Sequence, residues 1–585
     1  MLSHRNVTAF FTLLTIAVAL AFTPVAAKNG HRDQIKAEDM KAWLTYLSSD
    51  EFEGRATYSE GLGLAAGYIA GQLKSWGVKP GGPNGSYFQR VAVLGIKTNN
   101  HSTLTIEANG QTRTFRNKEG MSFSPNVGGK RSVTATEVEF VGYGLNLPAA
   151  NHNDYAGRDV KGKVAIYLGT NPPKGIDARS TFRALRSRPR YATEQQGAIA
   201  TIGPVLPTRV GTGGQGGGPN SGDPGVEGRE GGQGQAATGG LPEPDFTTAQ
   251  RLDAAIPPNV SAQDELFEFL LSGSPEKYAD LKEKASKGEP LAGFSLKNVR
   301  ITFNIDADYQ TVRTQYTRNV IGVVEGADAK LKDTYVAFGA HYDHVGYAEG
   351  DIVDSANGPR RMGARGRITA GAIEDRIWNG ADDDGSGTVA MLGIARAFAA
   401  AANKPRRSVV FIWHSGEERG LLGSRYYADY PTISIDKIVA QVNMDMVGRN
   451  RDNKLEEANT VYVVGSDRIS TEFHNITVDA NAALEKPLKL DYEMNDPTDL
   501  EQIYYRSDHY SYAAKGIPIV FLTTGLHPDY HANTDSAEKI NYEKMARIGQ
   551  YAYEIGVRAA NLHHAPGRDN RGPRVGKGSA GKIAL

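Results

Sequence analysis

From Asn319 to about residue 560 the chain alternates short, nearly unbroken apolar runs with amphipathic stretches. The apolar runs are Asn319 to Val324, Thr334 to Ala340, Ser408 to Trp413, Ile438 to Val442 and Ile517 to Leu522. Runs of this kind predict strands buried on both faces. The stretches Ser386 to Ala402, Glu418 to Tyr427 and Asp508 to Ala514 predict helices between them. Strands alternating with helices predict an α/β fold: a mainly parallel, mixed central sheet sandwiched by helices. Ligands of such folds collect beyond the carboxyl ends of the strands.

The N-terminal half is less regular. Ile35 to Leu47 has helical spacing, Ser48 to Arg55 reads as a loop, and Gly61 to Trp76 predicts a second helix closed by Gly77 and Pro80. Residues 86 to 125 predict short strands. The character changes near Ser132, with predicted strands at Thr134 to Tyr143 and Val164 to Leu168. From Gly211 to Gly240 the chain is mostly Gly with Gln, Pro and Ser, so too little apolar surface is present to offset the entropy of ordering. The run has neither the lysine nor the strand-to-helix setting of a phosphate cradle. It reads as a mobile loop within an inserted β-rich domain, after which regular structure returns at Val299 to Ile305. The expected division is a leader at 1–27, a first catalytic part at 28–131, an insert at 132–300, the main catalytic part at 301–560 and a basic, disordered tail at 561–585.

Length and charge narrow the function. A chain of 585 residues can bury more than one core. Lys+Arg and Asp+Glu are equal at 66 each, which gives no electrostatic argument for nucleic acid or an acidic membrane. Arg5, the apolar run Val7 to Phe22 and the small residues to Ala27 read as a cleaved export signal, shorter than the ~20 residues that span a bilayer. No later run is long enough to span, so the expected product is periplasmic or secreted. The chain has no cysteine, which excludes disulfides, thiolate nucleophiles and thiolate metal sites. Any metal must be held by His, Asp and Glu.

Those residue types gather where the predicted strands end. His341 closes one strand, and Asp343 lies two residues on, on the same face in extended chain, placed to accept a bond from the other imidazole nitrogen. Asp382, Asp383 and Asp384 crowd one turn before Gly385-Ser386-Gly387, where one can bridge two cations while another caps the following helix. Glu417 and Glu418 follow the run that ends at Trp413; one carboxylate can act as general base and its neighbour as a metal ligand. Asp445 interrupts an apolar stretch, where a carboxylate needs a partner. His531 follows Tyr530 in the loop after Leu522. Oxygen and nitrogen donors of this kind suit catalytic zinc, and manganese or cobalt would also fit.

This ordered set resembles the co-catalytic dizinc aminopeptidases, relatives of bacterial leucyl aminopeptidases, glutamate carboxypeptidases and single-zinc glutaminyl cyclases. The resemblance covers Leu47 to Arg55 and about 315 to 550, and the insert is similar to a protease-associated domain, from which its Gly-rich loop departs. It implies two zinc ions: one on His341 and Asp445, one on Glu418 and His531, with Asp383 as the bridge. It also implies Glu417 as general base, and Tyr530 is a candidate donor to the oxyanion. Three carboxylates and one hydroxide then balance two divalent cations. The expected activity is removal of N-terminal residues from peptides. A glutamate-carboxypeptidase-like hydrolase is the alternative, for which Arg506 is the one nearby cation. A non-enzymatic binding protein on the same fold is an alternative of another class.

Overall fold

A computed structural model describes residues 32–177, 181–207, 242–355 and 358–569. The expected leader, the Gly-rich run and the tail beyond 569 lie outside the described residues. The catalytic part is built on one ten-stranded sheet. Its main strands are β1 (Phe88–Asn100), β2 (Ala307–Val324), β3 (Tyr335–His341), β4 (Ser408–His414), β5 (Ile438–Met444), β6 (Thr460–Val464), β7 (Lys489–Asp491) and β8 (Ile519–Thr523). They lie in the order β1-β2-β4-β3-β5-β8-β6-β7. The four central strands, β4, β3, β5 and β8, run parallel, while β2 and β6 flank them antiparallel. The mixed sheet expected from the sequence is therefore present, with its parallel part in the middle.

Both faces of the central strands are buried, which explains their unbroken apolar character. Val336, Phe338 and Ala340 of β3 and Val409, Phe411 and Trp413 of β4 join one core cluster. The residues between them, Ala337, Val410 and Ile412, join the cluster on the opposite face. The first face is covered by α1 (Ala37–Leu47), α2 (Glu60–Ser75), α4 (Gly387–Ala400), α6 (Thr471–Ala482) and α8 (Tyr542–Asn561). The second is covered by α5 (Leu422–Asp429) and α7 (His509–Ala513), with Tyr427 and Tyr512 packed inward. Helix α8 carries the strongest amphipathic pattern of the C-terminal region; neither it nor α6 was predicted. The helix expected to begin at Glu418 instead begins at Leu422, because Glu417–Arg419 is a single 3-10 turn and Gly420 takes a φ of 96°. Among the described residues no helix is long and apolar enough to cross a membrane.

Strands β1 and β2 form a long antiparallel ribbon whose far end pairs Asn100 with Ala307. The insert is strung between those two residues. It contains a six-stranded and a four-stranded sheet around its own apolar core, which includes Leu104, Phe140, Ile202 and Phe303. Its boundary was expected near 132, but Thr103–Ala108, Gln111–Arg116 and Met121–Phe123 already pair with insert strands, which puts the start near 101. The single strand expected over 134–143 is two: Arg131–Ala135 joins one sheet and Val138–Phe140 the other, so the chain changes sheets between them. One insert strand, Phe246–Thr248, returns to pair with β1 and tie the insert to the main sheet. A short helix of the insert, α3 (Phe182–Arg186), lies on the catalytic side.

Candidate metal centre

Because β4, β3, β5 and β8 are parallel neighbours, their carboxyl ends share one edge of the sheet. His341 is the last residue of β3, Asp445 follows β5, and the loop after β8 brings in His531. Strand β4 ends at His414, and Gly416, at a φ of 73°, turns the chain so that Glu417 and Glu418 face the same place. Asp383 arrives in the turn before α4.

The predicted ligands converge. His341 Nε2 lies 3.4 Å from Asp383 Oδ1 and 3.6 Å from Asp445 Oδ2. His531 Nε2 lies 3.0 Å from the other Asp383 oxygen, Oδ2, and 3.1 Å from Glu418 Oε2. Asp383 thus turns one oxygen to each histidine, as a bridging carboxylate must. Glu417 Oε2 is 3.8 Å from His341 Nε2, on the near side of the same cluster. All of these side chains are buried.

The three consecutive aspartates divide the work. Asp384 accepts from the main-chain N–H groups of His341, Gly387 and Met446 at 3.2, 2.9 and 3.2 Å. It therefore caps α4 and ties together the ends of β3 and β5. Asp384 also lies close enough to His341 and Asp445 to complete a candidate metal group, but its oxygens are already committed to these amides, whereas those of Asp383 face the histidines. Asp382 accepts from Gly448 N at 2.7 Å and meets His527 Nε2 at 3.1 Å. Asp535 accepts from the N–H groups of both Asp382 and Asp383 and fixes the turn from outside. Gly387 has to be glycine, since a Cβ there would come within 2.4 Å of Asp384 Oδ1.

Asp343 does support His341, but differently from the expectation. Its main-chain oxygen lies 3.1 Å from His341 Nδ1, and its carboxylate stands 3.7 Å away. The carboxylate instead accepts from Thr57 Oγ1 at 2.8 Å and from Glu417 N at 3.1 Å, so Asp343 links the histidine strand to the glutamate turn. Two further residues escaped sequence reasoning. His344, fully buried, places Nδ1 3.0 Å from Glu418 Oε1 and 3.8 Å from Asp383 Oδ2. Arg55, also fully buried, donates to the carbonyls of Tyr342, Leu47, Asn379 and Gly380 at 2.8–3.0 Å and so clamps the loops that carry His341 and Asp383. The available signal for His344 was its place one residue after Asp343; for Arg55 it was an arginine ending the Ser48 to Arg55 loop.

Electrostatics separate the adjacent glutamates. Burial raises the Glu417 carboxyl well above its ordinary range, and His341 offsets this only partly. Burial also opposes charge on Glu418, but His531 and His344 together outweigh it and bring the carboxyl down to about 2. Burial would lower His341, yet Glu417 and Asp445 hold it well above its usual value; His531 is raised against burial in the same way by Glu418. Burial likewise opposes charge on Asp383, whose carboxyl His341 and His531 hold well below the ordinary range. The acids therefore demand positive charge at the histidines. His341 Nε2, His531 Nε2, Asp383 Oδ2 and both carboxylate oxygens of Glu418 are buried without a hydrogen-bond partner among the described residues. Leaving such groups uncompensated is costly, and a divalent cation compensates acids and neutral imidazoles together. The donor set fits zinc.

Beside the centre is a pocket. Met446, Met494, Ile503, Phe521 and Leu526 give it apolar walls, and Arg506 and Tyr530 stand with Asp383 and Asp445 among its other lining residues. The Tyr530 ring stacks on His531 with centroids 4.0 Å apart, and its hydroxyl oxygen accepts from Arg506 Nη2 at 3.1 Å.

Residues 319–555 match the model of Peptidase family M28. The chain carries a catalytic domain of Peptidase family M28. That makes it a metallopeptidase. A probable leucine aminopeptidase of Trichophyton verrucosum is 26% identical over 330 residues, covering 52% of this chain and 79% of that protein. The leupeptin-inactivating enzyme 1 of Streptomyces exfoliatus is 32% identical over 177 residues, 29% of this chain and 35% of that protein. Among solved structures, an aminopeptidase from Aneurinibacillus sp. strain AM-1 aligns over 92% of this chain and 95% of its own at 21% identity, with a TM-score of 0.40.

Proposed function

We propose that this M28 metallopeptidase is an exported dizinc aminopeptidase that prefers peptides with an apolar N-terminal residue. The observation that carries the two-ion reading is the pair of contacts made by Asp383, one oxygen toward His341 and the other toward His531. His341 and Asp445 would hold one zinc, Glu418 and His531 the other, and Asp383 both. Bound there, two such ions polarise a carbonyl and acidify an attacking water. Glu417 accepts the proton of that water and returns it to the leaving amine. Buried and 3.8 Å from His341 Nε2, Glu417 stands close enough to the cluster to take and give that proton. Tyr530, stacked on His531 at the pocket, is the candidate donor to the developing oxyanion.

The aminopeptidase reading is supported by the names of the related proteins and by the apolar walls beside the centre, which suit one uncharged side chain. The carboxypeptidase-like reading needs a cation for the substrate carboxylate. Arg506 is at hand, but it already serves Glu501 and Tyr530. A binding protein without activity would not need to keep all five ligands and the base. Export rests on the leader-like pattern of residues 1–27, and the mature chain is expected to begin at Lys28 when its N-terminus is sequenced.

The decisive assay incubates the zinc-loaded chain with one peptide, free or acetylated at its N-terminus, with and without chelator. Stepwise loss of N-terminal residues from the free peptide alone, stopped by chelator, is the expected result. Shortening from the C-terminus, or equal cleavage of the acetylated peptide, overturns it.

A further inference from the structure

The insert reaches the substrate pocket through a chain of polar contacts. Arg183, on α3 of the insert, donates to Glu501 Oε2 at 2.8 Å. The same oxygen accepts from Arg506 Nη1 at 2.9 Å. Arg506 is buried in the pocket wall, and its other terminal nitrogen donates to Tyr530 Oη at 3.1 Å. Tyr530 in turn stacks on His531. Four side chains thus lead from the insert to a member of the metal cluster.

The contact does not rest on one ion pair. Arg190 lies over the ring of Tyr505 at 3.9 Å, and Tyr510 Oη donates to Glu194 Oε2 at 2.6 Å. Gln195 bonds Tyr505, and Gln502 bonds both Arg190 and Ser187. On the side of the main sheet, every residue in these contacts lies in the segment 501–510, which also carries the pocket residues Ile503 and Arg506. An exposed pair such as Arg183–Glu501 contributes little to overall stability. Its consequence is positional: it fixes the carboxylate that fixes Arg506.

We propose that the insert braces the wall of the substrate pocket from behind, with Arg183, through Glu501, as a positioning residue for Arg506 and Tyr530. The kinetic side of this proposal rests on the aminopeptidase reading; the structural side does not. Arg183→Ala leaves the metal cluster untouched and loosens the wall, so KM for an N-terminal leucyl substrate rises several-fold, and kcat falls by a smaller factor as Tyr530 loses its place. Because both arginines act through Glu501, adding Arg183→Ala to Arg506→Ala costs little more than Arg506→Ala alone.

The test uses the full chain, loaded with zinc, and begins with hydrogen–deuterium exchange, which needs no substrate. Faster exchange over 501–510 and around Tyr530 in Arg183→Ala is expected, with the strands of the central sheet unchanged and the melting temperature retained. Glu501→Gln should reproduce it and Glu501→Asp should partly restore protection. Unchanged exchange over 501–510 in Arg183→Ala overturns the proposal. So do fully additive KM effects of the two arginine variants. Failure of the unmodified chain to turn over leucyl-p-nitroanilide counts against the aminopeptidase reading and leaves the exchange result to decide the wall.

Discussion

Glu417 and Glu418 are covalent neighbours with opposite surroundings. Glu418 faces His531 and His344, and its carboxyl is held at about 2; Glu417 faces other acids in a buried site and is raised. The proposed roles of ligand and base, which the family resemblance implies, agree with Glu418 alone facing His531 and His344. Glu417→Gln should keep both zinc ions by elemental analysis yet lose about 10²–10⁴ in kcat; retained turnover would remove Glu417 from the proton transfer. Asp383→Asn should lose metal itself, since the bridging charge goes while the shape stays, and zinc content per chain reads this directly. Arg55 acts through positioning alone: Arg55→Met strands four buried carbonyls, each costing about 1–3 kcal/mol when unsatisfied, and a denaturant midpoint well below the parent is expected.

The element scale decides why so much of the centre could be read from the chain. Strand β4 is apolar from Val409 to Trp413 because its odd and even residues enter two different cores, and that unbroken run marks its end, beyond which the glutamates fall. Phe411→Ala, which removes a buried ring stacked on Phe338 with centroids 5.4 Å apart, should destabilise by about 3–5 kcal/mol in chemical denaturation without moving the cluster. His341, Glu418 and Asp445 were legible as polar residues placed where apolar runs stop and His531 as one in the loop beyond such a run, whereas the choice of Asp383 among three aspartates came from the family resemblance. His344 was not, because its contact with Glu418 depends on how the loop after β3 folds back against Arg55. The insert boundary was misplaced for a similar reason: strands 103–123 look alike whichever sheet they join, and only their pairing assigns them. The break at Gly420 and Leu421, at φ of 96° and 60°, shows how two left-handed residues move a helix start that hydrophobic spacing alone places too early.

For the whole molecule, the metal and the fold are coupled. The cluster joins the ends of β3, β4 and β5 to the loop after β8, so a ligand that binds only the folded state stabilises all of them together. Without metal, His341 and His531 have folded-state pKa values raised above the unfolded value of about 6.5. Their stabilising contribution is complete below that pH and is lost as pH rises through the folded values. The chelated protein should therefore melt at lower temperature as the pH is raised above about 7, while the zinc-loaded protein changes much less; parallel pH profiles for the two would contradict this. The central claim is a two-ion centre that removes N-terminal residues, and a zinc titration of the chelated chain, following release of leucine from a leucyl peptide, tests it most directly. Activity that rises to a plateau at two equivalents of zinc, and that Asp383→Asn abolishes, is the result this account predicts. Full activity without zinc, or a plateau at one equivalent, would contradict it.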